Sequence, residues 1–470
     1  MIKLKYKRDL LKNTGIITIG RISTQLVSFL LLPLYTSILS TTEYGSYDLL
    51  NTYSIFMIPF ITLLMEEAMF RFLIDAKDEK ERNSVINQTM TFCLISVIIS
   101  SILFYIIFKF FHYEYTEYLI LFVISSILST LAGSLCRGMS KFTLYAVFNF
   151  LSGFLNVILN VLFLVIFKMG LPGLFWSYII ANALVSLWIL IKLKFYKNIS
   201  LKRINKPLLN QMLFYSLPLI PNSLSMIVIN LSDRVIVEKV MGASFVGIYA
   251  IANKFPNIVH TLYNFFYLAW KESSAKVVKE KNSEEYYNNI YHQLNKFLVA
   301  VTILLIAVLP FAFPILVKKE FIDAYVFIPI LVLAIYFSNI SSFYGGIFAA
   351  YKNTKIMGIS TFVAAVINIV VNVLFIKEIG LYAAVLSTFV AVFIICIYRR
   401  IKLKEYVNLE KNKTLVYDVV VCLIISVIYY SKNYILFTIG LLLAFIYSYN
   451  INKEMIQSLK NLIMKKIHKN

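Results

Sequence analysis

Charge is what this sequence has least of. Only 15% of its 470 residues are Asp, Glu, Lys or Arg, against about 25% in ordinary soluble domains, so a water-soluble globular chain is excluded. Cysteine is nearly as scarce. Cys93, Cys136, Cys396 and Cys422 share no CxxC spacing, which excludes a disulfide framework and a zinc site. Each falls in or at the end of an apolar run, where Cys acts as a small hydrophobe. His112, His260, His292 and His468 are dispersed, so no metal cluster and no cofactor is expected. There is no P-loop, no GxGxxG and no nucleophile–base arrangement, and no enzyme is expected either.

What is present is apolar: 60% of the chain is hydrophobic. The basic stretch MIKLKYKRDLLKN precedes a largely apolar run of 24 residues, Ile16 to Leu39, without an A-x-A site. That run is too long for a cleavable leader and reads as a first spanning helix. About 20 apolar residues cross a bilayer core. On that rule fourteen spans follow, near 14–39, 47–71, 86–108, 117–136, 142–167, 171–191, 212–238, 245–270, 297–317, 324–350, 356–376, 380–398, 415–431 and 433–450. The fold class is therefore an all-α polytopic membrane protein. Lys and Arg divide 35 to 7 between the two sides, with three inside spans. The positive-inside rule puts both termini in the cytoplasm. The net charge of +21 then lines one membrane face, and no nucleic-acid partner is expected.

The chain repeats itself. LSTTEYGSYDLLNTY (39–53) matches MGASFVGIYAIANKF (241–255) at a shift of 202, pairing Gly45 with Gly247 and Asn51 with Asn253. NVILNVLF (156–163) matches NIVVNVLF (368–375) at a shift of 212, and after a two-residue gap Gly170-Leu171 meets Gly380-Leu381. Spans 1–6 correspond to spans 7–12, and an even number of spans per copy makes the repeat parallel. The expected domains are a six-helix lobe over 1–197, a cytoplasmic linker over 198–211, a second lobe over 212–404, and two further helices with a basic tail over 405–470.

Polar residues at helical spacing mark faces that turn away from lipid. Span 1 carries Thr14, Thr18, Arg21, Gln25 and Ser28 on one stripe, and span 8 carries Asn253, Asn257, His260 and Asn264 with Lys254 beside it. Span 7 aligns Asn230, Arg234 and Glu238, and Asp233 points about 100° away. Span 2 carries Asp48 and Asn51 toward one end and Glu66, Glu67 and Arg71 toward the other. Each mid-membrane charge costs about 2.5–3.5 kcal/mol on the insertion scale, so charges on separate helices point to a shared wet cavity. Arg21 is also placed to snorkel, and Arg234 to pair with Glu238. The Asn pairs of spans 5 and 11, Asn156/Asn160 and Asn368/Asn372, read as helix-packing contacts. The loop Lys271–Lys296 reads as a solvated connector with helical potential.

PLYTSILSTTEYGSYDLL and SDRVIVEKVMGASFVGIYAIANKF resemble the polysaccharide transporter family, the O-antigen and capsule-unit flippases of the multidrug/oligosaccharidyl-lipid/polysaccharide exporter superfamily. The resemblance implies two six-helix lobes in a V, alternating access, and transfer of undecaprenyl-diphosphate-linked oligosaccharide between leaflets of the bacterial cytoplasmic membrane. It implies cavity cations for the diphosphate, here Arg21, Arg234 and Lys254; Arg71 and Arg137 fall in no matched motif. Gln25, Asn51, Asn253, Asn257, His260 and Asn264 are the candidates for sugar hydroxyls. Asp48, Glu66, Glu67 and Asp233 are the candidates for coupling to H⁺ or Na⁺. Membrane lipid, a polysaccharide polymerase and chain-length proteins are the expected partners. A peptidoglycan lipid II-type flippase and a drug/cation antiporter share the fold. A membrane glycosyltransferase or polymerase is disfavoured by the short outer loops.

Overall fold

A computed structural model describes residues 29, 31–194, 200, 203–278, 280, 282–410 and 414–467. Among them are helices and turns and no strand. In chain order the helices are α1 (Leu32–Ile38), α2 (Thr41–Thr62), α3 (Met65–Asp75), α4 (Glu79–Phe110), α5 (Thr116–Gly138), α6 (Phe142–Asn160), α7 (Gly170–Lys192), α8 (Lys206–Ser216) and α9 (Ile220–Met241). There follow α10 (Ala243–Lys254), α11 (Pro256–Val277), α12 (Ser283–Leu316), α13 (Ile328–Ala350), α14 (Lys355–Ile379), α15 (Tyr382–Leu403), α16 (Leu415–Tyr430) and α17 (Tyr434–Ile467). Among the described residues nine helical segments are long and apolar enough to cross a membrane. The chain is an all-α multi-pass membrane protein, and most of span 1 lies outside the described residues.

Local chemistry starts and stops these helices. Ser40 and Glu43 form a capping box on α2: the Ser40 hydroxyl accepts from the Glu43 amide at 3.2 Å, and the Glu43 carboxylate accepts from the Ser40 amide at 2.9 Å. Asp78 caps α4 by accepting from the Glu81 amide at 2.7 Å. Gly170 and Gly380, matched by the repeat, both sit at φ +57°. That shared left-handed turn explains why both copies carry glycine there.

The contacts divide the chain into two compact units, Met1–Glu238 with Gly242–Gly247, and Lys239–Met241 with Ile248–Asn470. In the first, α5 packs on α7, α2 and α3. Its core includes Met65, Leu119, Phe122, Phe175 and Ile189, with Phe122 stacked on Tyr178 at 3.8 Å. α4 stands at the margin and exposes Ile98, Ile99, Ile102 and Ile106, side chains suited to lipid. In the second unit α15 packs on α13 and α14, and α12 on α17. Trp270 anchors that core, donating to the Phe343 carbonyl at 3.0 Å and stacking on the Phe343 ring at 4.3 Å. The connector expected over Lys271–Lys296 is largely helix: α11 runs on to Val277 and α12 begins at Ser283. Tyr287, within it, is buried and donates to the Ser274 carbonyl at 2.9 Å. Aromatic burial overrides the local polarity that suggested a loop.

Spans 2 and 8, counterparts in the repeat, are each divided into two helices, as span 7 is at Leu217–Leu219. Between α2 and α3, Leu63 (φ 49°, ψ 32°) and Leu64 (φ 54°, ψ 30°) are both left-handed, which costs roughly 1–2 kcal/mol per residue for a non-glycine. Pro59, one turn earlier, cannot donate to the carbonyl of Ile55. Between α10 and α11, Phe255 separates Lys254 from Pro256, which opens α11 and cannot donate to the carbonyl of Ala252. By the 202-residue shift Leu63-Leu64 corresponds to Phe265-Phe266 and Phe255 to Tyr53, so the two breaks share a pair of spans and not a repeat position.

Candidate functional site

The first polar cluster joins α2 to α9 and α10, and all its members fall in the first unit. The Arg234 Nε–H donates to the Asp48 carboxylate, with each side chain 15% exposed. One turn along each helix, the Tyr53 hydroxyl donates to Glu238 at 2.9 Å. At the N-terminal end of α2 the Thr41 and Ser244 hydroxyls meet at 2.7 Å. Glycine lets these helices approach. A Cβ on Gly45 would overlap the Ala243 carbonyl and lie 2.8 Å from the Gly247 nitrogen, and one on Gly247 would overlap the Thr41 carbonyl. Thr41 and Ala243, like Gly45 and Gly247, stand 202 residues apart. The contact is therefore reciprocal, as in an isologous interface. The structure gives Arg234 to Asp48 and leaves Glu238 to Tyr53, so the i, i+4 pair open in the sequence is replaced by cross-helix partners. Asp233, the neighbour on another face, is buried.

The second cluster surrounds the interruption of span 2. Glu66, in the first turn of α3, is buried. Glu67 is half exposed and lies 3.7 Å from Arg137 of α5. Arg137 also donates to the Ser134 hydroxyl at 3.0 Å and sits over the rings of Phe70 and Tyr145 at 5.0 and 5.8 Å. Arg71 turns to Asp75 at 3.0 Å on the surface. Asn51, further up α2, is half-buried, and its carbonyl accepts from Ser54 at 2.7 Å.

The third cluster lies in the second unit. Lys254 closes α10 at the second interruption and is half-buried. Asn253 donates back to the Tyr249 carbonyl at 2.9 Å. His260 Nδ1 meets Asn339 Oδ1 of α13 at 3.0 Å. Asn257 is exposed and Asn264 is half-buried. Asn368 donates to the hydroxyls of Ser387 at 3.2 Å and Thr388 at 3.4 Å, tying α14 to α15, while Asn160 bonds within its own helix to Asn156 at 2.7 Å. Arg21 and Gln25 lie outside the described residues.

Arg399 of α15 is a residue the sequence reading missed, because it sits at the end of its span among basic neighbours. It is 6% exposed. Its Nε–H donates to Ser360 Oγ at 2.9 Å, Nη1 to the Ser341 carbonyl at 3.2 Å, and Nη2 to the Met357 carbonyl at 3.3 Å and Thr361 Oγ1 at 3.0 Å. The fork binds α13, α14 and α15 together, and a lysine point charge cannot span those acceptors. Arg399→Lys should cost about 2 kcal/mol, or roughly 4–8 °C in apparent Tm for a unit of this size. A thermal shift of the detergent-purified protein checks this.

Against known proteins, residues 10–270 match the family model described as polysaccharide biosynthesis protein. No curated protein matches the sequence. Among solved structures, one titled as a lipid II flippase MurJ in an inward closed conformation superposes with a TM-score of 0.70 at 16% identity, covering 94% of this chain and 99% of that one. One titled as an inward-facing multidrug resistance MATE family transporter of the MOP superfamily gives 0.66 at 15% identity, covering 83% and 95%. These likenesses are of fold. The family model spans more than half of the chain, which therefore belongs to the polysaccharide biosynthesis protein family, on a fold it shares with MATE transporters and the MurJ flippase.

Proposed function

We propose that this protein flips a polyprenyl-diphosphate-linked oligosaccharide from the cytoplasmic to the outer leaflet of a bacterial cytoplasmic membrane by alternating access, driven by an ion gradient. The observation that carries this reading is the family match over 10–270 on a membrane fold shared with a lipid II flippase. The chemistry supports it. A lipid diphosphate needs cations along a low-dielectric path, and Lys254 ends α10 at the joint of span 8, just before Pro256 opens α11. Asn253, Asn257, His260 and Asn264 follow along the same stripe and offer hydrogen bonds to sugar hydroxyls. The polyprenyl chain stays in lipid. No catalytic step is assigned.

A drug/cation antiporter is the second reading, favoured by the MATE likeness. It calls for an acidic cavity, whereas Arg21, Arg234 and Lys254 give the candidate cavity residues three cations. The test is reconstitution: proteoliposomes loaded with polyprenyl-diphosphate oligosaccharide, with outer-leaflet substrate read by an impermeant lectin or glycosidase. Wild type should move the lipid and leave cationic drugs unmoved; the reverse result would establish the antiporter. Lys254→Ala should slow flipping roughly 10- to 100-fold, the value of one charge-assisted contact, at unchanged membrane abundance. A wild-type rate would remove Lys254 from the diphosphate path.

A further inference from the structure

Glu66 is a buried carboxyl with one of its two oxygens left unpartnered among the described residues. Its residue is 3% exposed, and its Oε2 is buried with no hydrogen-bond partner among the described residues. Its helix neighbours Met65, Ala68 and Met69 belong to the hydrophobic core of the first unit. Thr62, across the helix break, and the Glu66 backbone amide hydrogen-bond to this carboxyl, and the Thr62 hydroxyl is shared with the Ile58 carbonyl at 3.1 Å and the Leu64 amide at 3.2 Å. Arg137 shows the complementary deficit: its Nε is also buried without a partner among the described residues. Its field reaches Glu66, and among the described residues its carboxylate contact is the loose one to Glu67 at 3.7 Å.

We propose that Glu66 is a proton-binding site, and that its proton decides whether it pairs with Arg137. This rests on the proposed ion-driven transport and deepens it by naming ion and residue. The argument for a proton over a metal ion is the donor set. Among the described residues no group of three His, Cys, Asp or Glu side chains is placed to hold a metal, and one carboxyl oxygen of Glu66 is buried without a hydrogen-bond partner. A bound proton would remove the cost of burying that unpartnered oxygen as part of a charge. When the proton leaves to water, the carboxylate gains a reason to reach the idle Nε of Arg137. Glu66 is carried on the first turn after two left-handed leucines, so a shift of the carboxylate falls on the joint between α2 and α3. Other titratable groups on the packed elements include Glu67, Arg71 and Asp75 of α3 itself, Glu81, Arg82 and Cys93 of α4, Cys136 and Arg137 of α5, and the exposed Lys206 and Tyr215 of α8. Arg137 is the cation among these whose field reaches Glu66.

Infrared difference spectroscopy of the purified full chain tests this without any transport assay. Wild type at neutral pH should show a protonated-carboxyl stretch that titrates away as the pH is raised, persists in Glu67→Gln, and is missing from Glu66→Gln. Exchanging K⁺ for Na⁺ at constant ionic strength should leave it unchanged. Absence of the band in wild type, its survival in Glu66→Gln, or its removal by Na⁺ at fixed pH would each overturn the proposal. Absence of the band from the wild-type titration overturns the proposal even if Glu66→Gln fails to fold. In proteoliposomes, an imposed pH gradient should accelerate flipping by wild type and not by Glu66→Gln. A protonated Glu66 in a protein that does not flip lipid would count against the proposed function and leave the site standing.

Discussion

Gly45→Val and Gly247→Val should each abolish accumulation of folded protein, the largest single-residue effect expected in the first unit. Overpacking a core by extra methyl groups costs about 1–3 kcal/mol when neighbouring side chains can move aside. Here the obstacle is backbone. The Cβ of residue 45 would occupy the place of the Ala243 carbonyl oxygen, and that of residue 247 the place of the Thr41 carbonyl oxygen. Relief requires the two helices to separate. Separation also lengthens the Thr41–Ser244 hydrogen bond of 2.7 Å and, further along, strains the Asp48–Arg234 and Tyr53–Glu238 contacts. The cost therefore lies at or beyond the upper end of that range, a large part of the 5–15 kcal/mol that typically separates folded from unfolded chains. Gly358 supplies the control, since a Cβ there meets nothing within 4 Å. Gly358→Val should express at wild-type level. Size-exclusion profiles and apparent Tm in detergent read the comparison, and a monodisperse Gly45→Val protein with wild-type Tm would show that the close approach is dispensable.

These glycines also mark how much of the molecule was legible beforehand. The match of 39–53 with 241–255 was visible as letters, and apolar run length placed the membrane helices, because both depend on composition along one segment. That the matched glycines touch each other depends on a helix crossing, which no local pattern encodes. The same holds for partners. Spacing along α9 offered Glu238 to Arg234, because i, i+4 neighbours are all that one helix reveals, and the structure supplies Asp48 from α2 instead. Arg399 escaped notice for a related reason: a basic residue at a span end reads as a positive-inside anchor until its acceptors on α13 and α14 are seen. The interruption at Leu63-Leu64 had no sequence signal either, since neither Gly nor Pro occupies the left-handed positions. The polar stripe of span 8 was legible because it needs only the helical period. The physical context of Lys254, at the joint between α10 and α11, was announced by Pro256 alone.

Arg234→Ala should destabilise the protein strongly, and its repair by a second substitution separates the two roles open to this arginine. Removing one member of a buried ion pair typically costs about 3–5 kcal/mol, because the remaining charge is left without compensation. Asp48 meets that condition: its side chain is 15% exposed and its cation comes from Arg234. The double variant Asp48→Asn, Arg234→Gln removes both charges while keeping groups able to hydrogen-bond, and a neutral replacement of a buried pair is often close to isoenergetic. Apparent Tm should therefore fall in Arg234→Ala and return to within a few degrees of wild type in the double variant. Flipping should not return with it. If Arg234 also meets the diphosphate when Asp48 releases it, a glutamine cannot supply the bidentate positive fork that phosphate recognition uses, and the rate should stay at least about tenfold low. The Tyr53–Glu238 hydrogen bond of 2.9 Å is untouched by either change, so helix register is kept in the comparison. Recovery of both stability and flipping would show that Arg234 serves only as the partner of Asp48, and would leave Arg21 and Lys254 as the cations for the substrate.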